Sequence, residues 1–212
     1  MNVRGITKRV VDIVGAASAI VLFAPVLGVV AVLVAKDIGR PVLFRQKRPG
    51  RGGRSFTMFK FRTMREPKPG ESRFLSDANR MTPLGAFLRK SSLDELPELL
   101  NVLRGEMSLV GPRPLLESYL SKYTAEQARR HDVRPGITGW AQVNGRQHIP
   151  FSKRLNLDVW YVDNHGLGLD IKILLSTIRL ALFGDGVESG QALADVDDLG
   201  FFTKQEKDAQ GG

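Results

Sequence analysis

Residues 13–35 read IVGAASAIVLFAPVLGVVAVLVA, a run of 23 residues without a charge. As a helix that rises about 1.5 Å per residue, the run is about 35 Å long, enough to cross a hydrocarbon core of about 30 Å. A cleaved signal peptide has a shorter apolar region, of about 7–15 residues. This run continues directly into Lys36 and Asp37. The stretch therefore predicts a membrane-embedded helix, and a buried helix of a soluble protein is the alternative.

The path of this helix is indicated by its proline and its flanks. Pro25 lies near the middle of the run, where proline removes a backbone hydrogen bond and kinks a helix. Lys and Arg favour the cytoplasmic side of a membrane. Basic residues lie at both ends of the run: Arg4, Lys8 and Arg9 before it, and Lys36, Arg40, Arg45, Lys47 and Arg48 after it. We therefore predict a re-entrant helix over residues 1–36, broken at Ala24-Pro25, rather than a simple span.

Composition limits the possible partners and chemistry. The 212 residues carry a formal net charge of +9 and no cysteine. A positive surplus predicts an anionic partner, which is nucleic acid, a membrane surface or a phosphorylated substrate. Thiol chemistry, disulfides and cysteine metal sites are excluded. The length suits one domain of catalytic size, which we place at residues 37–184, followed by a loosely ordered tail at 185–212.

A basic β-hairpin is predicted directly after the membrane segment. Residues 40–65 contain nine basic residues and no acidic one, and Pro49-Gly50-Arg51-Gly52-Gly53 is a turn signal between two apolar stretches. Such a tip suits anionic headgroups, and a solvated charged face is the alternative. Lys60 and Arg62 alternate with the aromatic residues of the second strand, and we interpret both as phosphate ligands.

Two adjacent carboxylates stand in Ser91-Ser92-Leu93-Asp94-Glu95-Leu96-Pro97. One interpretation is a catalytic pair. The other is that Asp94 caps a helix from Glu95 to Arg104, because a carboxylate accepts hydrogen bonds from the first N–H groups of a helix. Arg89 precedes the pair, and Arg113 lies between two prolines that restrict its backbone. A preorganised guanidinium suits a phosphate, so both arginines are candidate phosphate ligands.

The remaining elements follow from turn signals and periodicity. We predict a mobile, lid-like loop at 66–80, helices at 84–90, 115–130, 151–164 and 170–183, and a buried strand at 107–110. The last helix has an apolar stripe that suits either a core or a membrane surface. The glycine-rich segment 134–146 is either a structural loop or a nucleotide or sugar loop, with four candidate contacts: Arg134, Gln142, Asn144 and Arg146. The predicted fold class is mixed α/β: a re-entrant membrane helix, a small helical catalytic domain with a β-hairpin and short strands, and interfacial amphipathic helices.

Six motifs stand in order along the chain: Lys8-Arg9 with Asp12, Lys60-Phe61-Arg62-Thr63-Met64, Arg89 to Pro97, Ser108 to Pro114, Arg134 to Arg146, and Leu157-Asp158-Val159-Trp160-Tyr161. Together they resemble the bacterial sugar transferase family, the monotopic phosphoglycosyl transferases that begin the assembly of lipid-linked glycans. The resemblance runs from about residue 8 to residue 164, and the chain looks like the minimal form of the family. At the predicted break this chain has Ala24-Pro25, whereas Ser-Pro is frequent in the family.

The resemblance implies transfer of a sugar 1-phosphate from a UDP-sugar to undecaprenyl phosphate, with release of UMP, at the cytoplasmic face of the bacterial inner membrane. It further implies that Asp94 forms a covalent phosphosugar intermediate and that Glu95 helps to place the metal or the proton in catalysis. Asp94 and Glu95 are the implied ligands of Mg²⁺. Lys8 and Arg9 are candidates for a lipid phosphate or headgroup. The implied partners are the UDP-sugar, undecaprenyl phosphate and membrane phospholipid, with no nucleic acid, and a homodimer is compatible with the sequence.

Two other functions fit parts of the sequence. A basic nucleic-acid-binding protein explains the charge but not the 23 uncharged residues. An ordinary glycosyltransferase with a lipid acceptor transfers the sugar alone and releases UDP, so the nucleotide product distinguishes it from a phosphoglycosyl transferase.

Overall fold

The computed structural model describes residues 3–66, 80–145, 149–183 and 197–201. Within these residues, two two-stranded sheets lie among helices of very different length. The helices are α1 (Val3–Asp37), α2 (Pro83–Lys90), α3 (Glu98–Arg104), α4 (Ala125–Ala128), α5 (Trp140–Val143), α6 (Phe151–Asn164) and α7 (Leu167–Phe183), and the strands are β1 (Leu43–Pro49), β2 (Ser55–Phe61), β3 (Ser108–Val110) and β4 (Gly136–Thr138). The mixed α/β class predicted from the sequence is confirmed.

Helix α1 is the long apolar helix that the sequence predicted. Within the described ranges, it alone has the length and composition to cross a membrane, over Gly5–Asp37. It continues through Pro25 as one helical element, so the predicted interruption at Ala24-Pro25 is not seen in the secondary structure. A proline removes one backbone hydrogen bond, and the turns on either side maintain the helix. A bend at this position and a re-entrant path stay predictions.

Both halves of α1 pack on the same domain. In the first half, Ala16 is buried in a cluster with Phe56 and Leu99. In the second half, Val30 and Val34 are buried in a cluster with Phe61, Leu88 and their neighbours. Between the two contacts the helix is open to its surroundings, with Val21 76% and Leu22 73% exposed. The helix is therefore anchored at both ends and uncovered in its apolar middle.

The predicted hairpin is confirmed. Strands β1 and β2 pair antiparallel, from Leu43 opposite Phe61 to Pro49 opposite Ser55. A short 3-10 turn at Arg51–Gly53 joins them, in which Gly52 and Gly53 have φ of 64° and 73°, a region that glycine enters without strain. At the tip, Arg51 Nε donates to the carbonyl of Asp132 at 3.0 Å, so one tip arginine has a partner within the protein.

A parallel pair of short strands fixes the segment around Arg113. Ser108 lies opposite Gly136 and Val110 opposite Thr138. A Cβ atom added at Gly111 or Gly136 would lie 2.3 or 2.1 Å from backbone atoms of the other segment. The glycines are therefore explained by the close approach of two backbones, which a side chain would block. This geometry favours the structural interpretation of the glycine-rich segment.

Some predicted helices have different bounds. Helix α2 is confirmed, and Thr82 Oγ1 accepts from the Gly85 N–H at its start. The single helix predicted over 115–130 is wrong: a 3-10 segment at Glu117–Lys122 ends in extended backbone at Tyr123, and α4 starts anew. The cause is a capping box in which the Thr124 and Gln127 side chains satisfy each other's backbone N–H groups.

Helices α6 and α7 occupy the two predicted C-terminal helical segments, and α7 begins three residues earlier than predicted. On α7 only part of the apolar stripe is covered. Ile173 is fully buried, whereas Ile171, Leu175 and Ile178 are exposed. The stripe therefore serves the core on one side and leaves an uncovered apolar face on the other.

Parts of the predicted loop and tail lie outside the described residues. These are residues 67–79 of the loop and residues 185–196 and 202–212 of the tail. Of the tail, residues 197–201 are described, and Phe201 is buried against Tyr119, Phe151 and Leu155. This short piece of the tail therefore packs on earlier residues of the chain, and the loose order that composition predicted for the rest of the tail concerns residues outside the described ranges.

Candidate active site

The carboxylate pair lies in a tight, irregular turn. Leu93–Glu95 form one 3-10 turn, and Ser92 before it has a φ of 57°, an uncommon value for a residue other than glycine. Helix α3 begins only at Glu98, and neither the turn nor α3 has a side-chain cap. The interpretation of Asp94 as a helix cap is therefore wrong, and its carboxylate is left for another role.

Glu95 is held by two cations from distant parts of the chain. Lys60 Nζ on β2 lies 2.6 Å from Glu95 Oε1. Arg113 approaches with both terminal nitrogens, Nη2 donating to Oε1 and Nη1 to Oε2, the latter at 3.3 Å. Burial raises the pKa of Glu95, but the charges of Arg113 and Lys60 outweigh it and lower the pKa to about 2. Glu95 is therefore a permanently ionised residue that fixes two cations.

Asp94 has the opposite character. Asp94 is only 8% exposed, and its carboxylate has no hydrogen bond to any other described residue. Burial and the adjacent charge of Glu95 raise the pKa of Asp94 to about 6, although Lys60, Arg113 and Arg89 act to lower it. An unpaired carboxylate close to several cations is an available nucleophile, because none of its lone pairs is committed to a donor.

A third carboxyl group completes the cluster and was missed in the sequence. Glu98 on α3 is 2% exposed, and its Oε1 lies 3.2 Å from Lys60 Nζ without hydrogen-bonding geometry. Burial and the charge of Glu95 raise the pKa of Glu98 to about 7. Glu98 follows Glu95 by three positions in the sequence, and residues with this spacing share one face of a helix. This spacing was the signal by which the sequence could have indicated Glu98.

The other two predicted phosphate ligands lie in different positions. Arg89 Nε donates to Thr63 Oγ1 at 3.1 Å, and its charge acts on Asp94. Arg62 is not brought to the pair: its Nη2 lies 2.8 Å from Glu66 Oε1, and its Nη1 donates to the carbonyl of Pro41. The alternation that placed Arg62 beside Lys60 fails because strand β2 ends at Phe61.

The four candidates of the glycine-rich segment make mainly local contacts. Arg134 Nε donates to the carbonyl of Gly105 at 2.9 Å, behind the C-terminus of α3. Gln142 Nε2 donates to the Ile137 carbonyl and Asn144 Nδ2 to the Trp140 carbonyl. Arg146 lies outside the described residues. For the first three, the structure supports a role in shaping the loop.

Lys8 and Arg9, candidates for a lipid phosphate, have partners inside the protein. Lys8 Nζ lies 2.7 Å from Asp170 Oδ2 and donates to the Val110 carbonyl. Arg9 donates to the carbonyls of Val102 and Leu103 at the end of α3. Both side chains therefore anchor α1 on the domain, and the headgroup role that the sequence suggested stays a prediction.

The fit of magnesium can be judged from the available donors. No group of three or more His, Cys, Asp or Glu residues within the described ranges is placed to hold a metal. Mg²⁺ is commonly held by one or two carboxylates together with substrate phosphates and water. Asp94 fits such a site. Glu95 does not fit the ligand role predicted for it, because both of its oxygens already accept from cations.

Comparison with known proteins identifies the family. Residues 3–184 match the family described as Bacterial sugar transferase. The chain is 49% identical to the uncharacterized sugar transferase EpsL of Bacillus subtilis, over 86% of this chain and 91% of that protein. It is 43% identical to the UDP-glucose:undecaprenyl-phosphate glucose-1-phosphate transferase of Caulobacter vibrioides, over 84% of this chain and 70% of that protein. A third relative, the UDP-N-acetylgalactosamine-undecaprenyl-phosphate N-acetylgalactosaminephosphotransferase of Aeromonas hydrophila, is 41% identical over 84% of this chain and 44% of its own length.

These matches confirm the resemblance seen in the sequence motifs. The chain therefore belongs to the bacterial sugar transferase family and is an enzyme of the phosphoglycosyl transferase class. It spans most of the Bacillus protein and less than half of the Aeromonas protein.

Proposed function

We propose that this protein transfers a sugar 1-phosphate from a UDP-sugar to undecaprenyl phosphate and releases UMP, as a first membrane step of bacterial glycan assembly. The names of the Caulobacter and Aeromonas relatives support the two substrates. The observation that carries the proposal is the contrast between two adjacent carboxylates. Glu95 is neutralised by Lys60 and Arg113, whereas Asp94, beside the same cations, is paired with none of the described residues.

In the first step, an Asp94 carboxylate oxygen attacks the phosphorus that bears the sugar. The bond from this phosphorus to the bridging oxygen breaks, and its electron pair leaves with UMP. In the second step, a phosphate oxygen of undecaprenyl phosphate attacks the same phosphorus and Asp94 departs as a carboxylate. Two displacements replace one difficult encounter between two anionic substrates, and the nearby cations stabilise charge on the transferred phosphoryl group.

Glu95 has a positioning role in this mechanism. Because its pKa is about 2, it stays charged at every working pH and keeps Lys60 and Arg113 oriented. Asp94 is the residue that would hold Mg²⁺, together with substrate oxygens. When bound, Mg²⁺ neutralises charge on the diphosphate, which a carboxylate nucleophile otherwise repels.

The packing of α1 supports a location at the membrane surface. A straight span would carry one half of the helix away from a domain on one side of the bilayer. Here Ala16 and Val34 both pack on that domain, while Val21 and Leu22 are uncovered. We propose that the exposed middle of α1 enters the inner membrane and returns to the cytoplasmic face, where a lipid phosphate meets a soluble nucleotide.

The experiment that tests this function is a product assay. Purified protein in detergent is incubated with undecaprenyl phosphate, Mg²⁺ and each of several UDP-sugars, and the released nucleotide is identified. UMP together with a lipid-linked sugar diphosphate is expected, and excess chelator should stop the reaction. Release of UDP would instead identify an ordinary glycosyltransferase and reject the proposal.

The pH dependence of the reaction follows from the state of Asp94. Its pKa is raised from 3.8 to about 6, and only the carboxylate is nucleophilic. We therefore expect kcat/KM to be constant above about pH 7 and to fall about tenfold per pH unit well below pH 6. The measurement is initial UMP release between pH 4.5 and 8.5. Because bound Mg²⁺ favours the carboxylate form, the profile is measured at several Mg²⁺ concentrations. An acid limb near pH 4 at the lowest of them would show that Asp94 is not the titrating group.

The absence of cysteine from the sequence makes the path of α1 directly testable. Asn2→Cys and, as the domain reference, Lys153→Cys are introduced separately and treated in intact cells with a membrane-impermeant maleimide. A re-entrant helix predicts that both cysteines are protected until the inner membrane is permeabilised. Labelling of the cysteine at position 2 in cells with a sealed inner membrane would show that α1 spans the bilayer.

A further inference from the structure

Two arginines near the active site have no ion-pair partner among the described residues. Arg48 lies on β1 and Arg154 on α6. The Nε atom of each is buried without a hydrogen-bond partner, and neither residue forms an ion pair with any described residue. Arg48 Nη2 donates to Gln46 Oε1 at 2.6 Å, and the Arg154 guanidinium stacks 4.7 Å from the centre of the Phe151 ring. Both side chains are held in place, yet neither guanidinium is paired with a carboxylate of the described residues.

The electrostatics connect both arginines to the active site. Burial lowers the pKa of Arg48, and so does the charge of Arg113. Burial also lowers the pKa of Arg154. Asp158 acts to raise it, and the charges of Arg113 and Arg130 act to lower it. The contacts agree with a position of both arginines near Arg113, which binds Glu95. Arg48 lies opposite Phe56, on the hairpin face that also carries Lys60. Arg154 lies one helical turn before Asp158, whose partner Arg130 donates to the Arg113 carbonyl at 2.7 Å.

Arg130, in contrast, has a buried carboxylate as its ion-pair partner. Arg130 Nη2 lies 2.7 Å from Asp158 Oδ2, with both side chains fully buried. Around Arg48, the carboxyl groups of Glu98 and Glu117 contribute attraction, but neither forms an ion pair with it. Partly buried cations that repel one another are costly in the absence of an anion, so this cluster has the character of an anion-binding site.

We propose that Arg48, Arg154 and Arg113 form one phosphate subsite that is used twice in each turnover. It holds the phosphate of UMP as it departs from the sugar-bearing phosphorus, and then the phosphate of the polyprenyl acceptor as it attacks. This inference rests on the proposed function. The attacking and leaving oxygens in a displacement at phosphorus are in line. Asp94 attacks in the first step and leaves in the second. The phosphates of UMP and of the lipid therefore both lie opposite Asp94, on the same side of the transferred phosphorus.

The test uses Arg48→Met and Arg154→Met, which keep an unbranched apolar side chain and remove the charge. The matched controls are Lys47→Met and Lys153→Met, which remove an exposed charge from the adjacent position of the same element. For each protein in detergent, we would measure the KM of the UDP-sugar, the KM of undecaprenyl phosphate and the UMP concentration that halves turnover. Uridine, which lacks the phosphate, serves as the inhibitor control.

Each arginine variant should raise both KM values and the inhibitory UMP concentration about tenfold or more, since a lost hydrogen bond to a charged group has an effect of that size. Inhibition by uridine should not change, and the lysine controls should match the wild type. The melting temperature of the arginine variants should be unchanged or higher, because an uncompensated charge is removed.

Three results would overturn the shared subsite. The first is that both KM values of the arginine variants stay unchanged. The second is a rise in the KM of the nucleotide substrate alone or of the lipid alone. The third is a lower melting temperature with both KM values retained, which would identify a structural role. Failure of the proposed function is distinguishable, because the wild-type protein would then release no UMP.

Discussion

Asp94→Asn should abolish turnover, with a loss of at least about 10⁴-fold in UMP release, comparable to removal of the nucleophile in other covalent enzymes. The amide has the size of the carboxylate but cannot form the phosphosugar bond. The same substitution should stabilise the fold. The pKa of Asp94 is raised from 3.8 to about 6, so the ionised side chain destabilises the folded protein by up to about 3 kcal/mol at neutral pH.

The sign of this stability effect can be checked against pH. A carboxyl group whose pKa is raised on folding lowers stability as pH rises, beginning near 3.8 and complete above about 6. The variant should therefore melt at a higher temperature than the wild type at pH 8, and the difference should shrink towards pH 4. Asp132→Asn, an exposed control, should change neither property. Residual turnover of Asp94→Asn above a few per cent would remove Asp94 as the nucleophile.

Glu95→Gln should lower kcat/KM about 10²–10³-fold and, unlike Asp94→Asn, destabilise the fold. The substitution leaves Lys60 and Arg113 without their shared anion, and removal of one member of a buried ion pair leaves an uncompensated charge. Because Arg113 is 38% exposed, solvent screens part of this effect, and we expect a loss of about 1–3 kcal/mol in the free energy of unfolding.

The comparison of these two adjacent carboxylates separates chemistry from structure. Kinetics in detergent and thermal melting are measured on both variants, with Glu126→Gln as a surface control, since that side chain is 65% exposed. Loss of activity with opposite shifts in melting temperature is the expected pattern. If Glu95→Gln were as stable as the wild type, the cations would have other partners, and the positioning role of Glu95 would be refuted.

Much of the fold could be predicted because its signals are local. The turn Pro49 to Gly53 and the Thr82-Pro83 helix start define the hairpin and α2 from a few neighbouring residues. The 23 uncharged residues of α1 are an equally local signal of a long apolar helix. The helix predicted over 115–130 failed because Thr124 and Gln127 form a cap that interrupts an otherwise helical composition.

The candidate site could be predicted only where the residue types and their neighbours in the sequence indicate a chemical role. Asp94, Glu95, Lys60 and Arg113 do meet in the structure. Lys8 could not be assigned, because its partner Asp170 is 162 positions away in the sequence. Arg154 gave no signal at all, because an arginine in an amphipathic helix is ordinarily a solvated residue. Such positions are decided by tertiary contacts that local patterns do not encode.

The central claim is that Asp94 becomes covalently phosphorylated by the donor before the lipid acceptor arrives. The most direct measurement is the mass of the peptide containing Asp94 after the protein is incubated with a UDP-sugar and Mg²⁺ but without undecaprenyl phosphate, then quenched in acid. We predict a mass increase of one sugar phosphate on that peptide, fragmentation that places it on Asp94, and one equivalent of UMP. An unmodified peptide, with UMP released only after the lipid is added, would contradict the account.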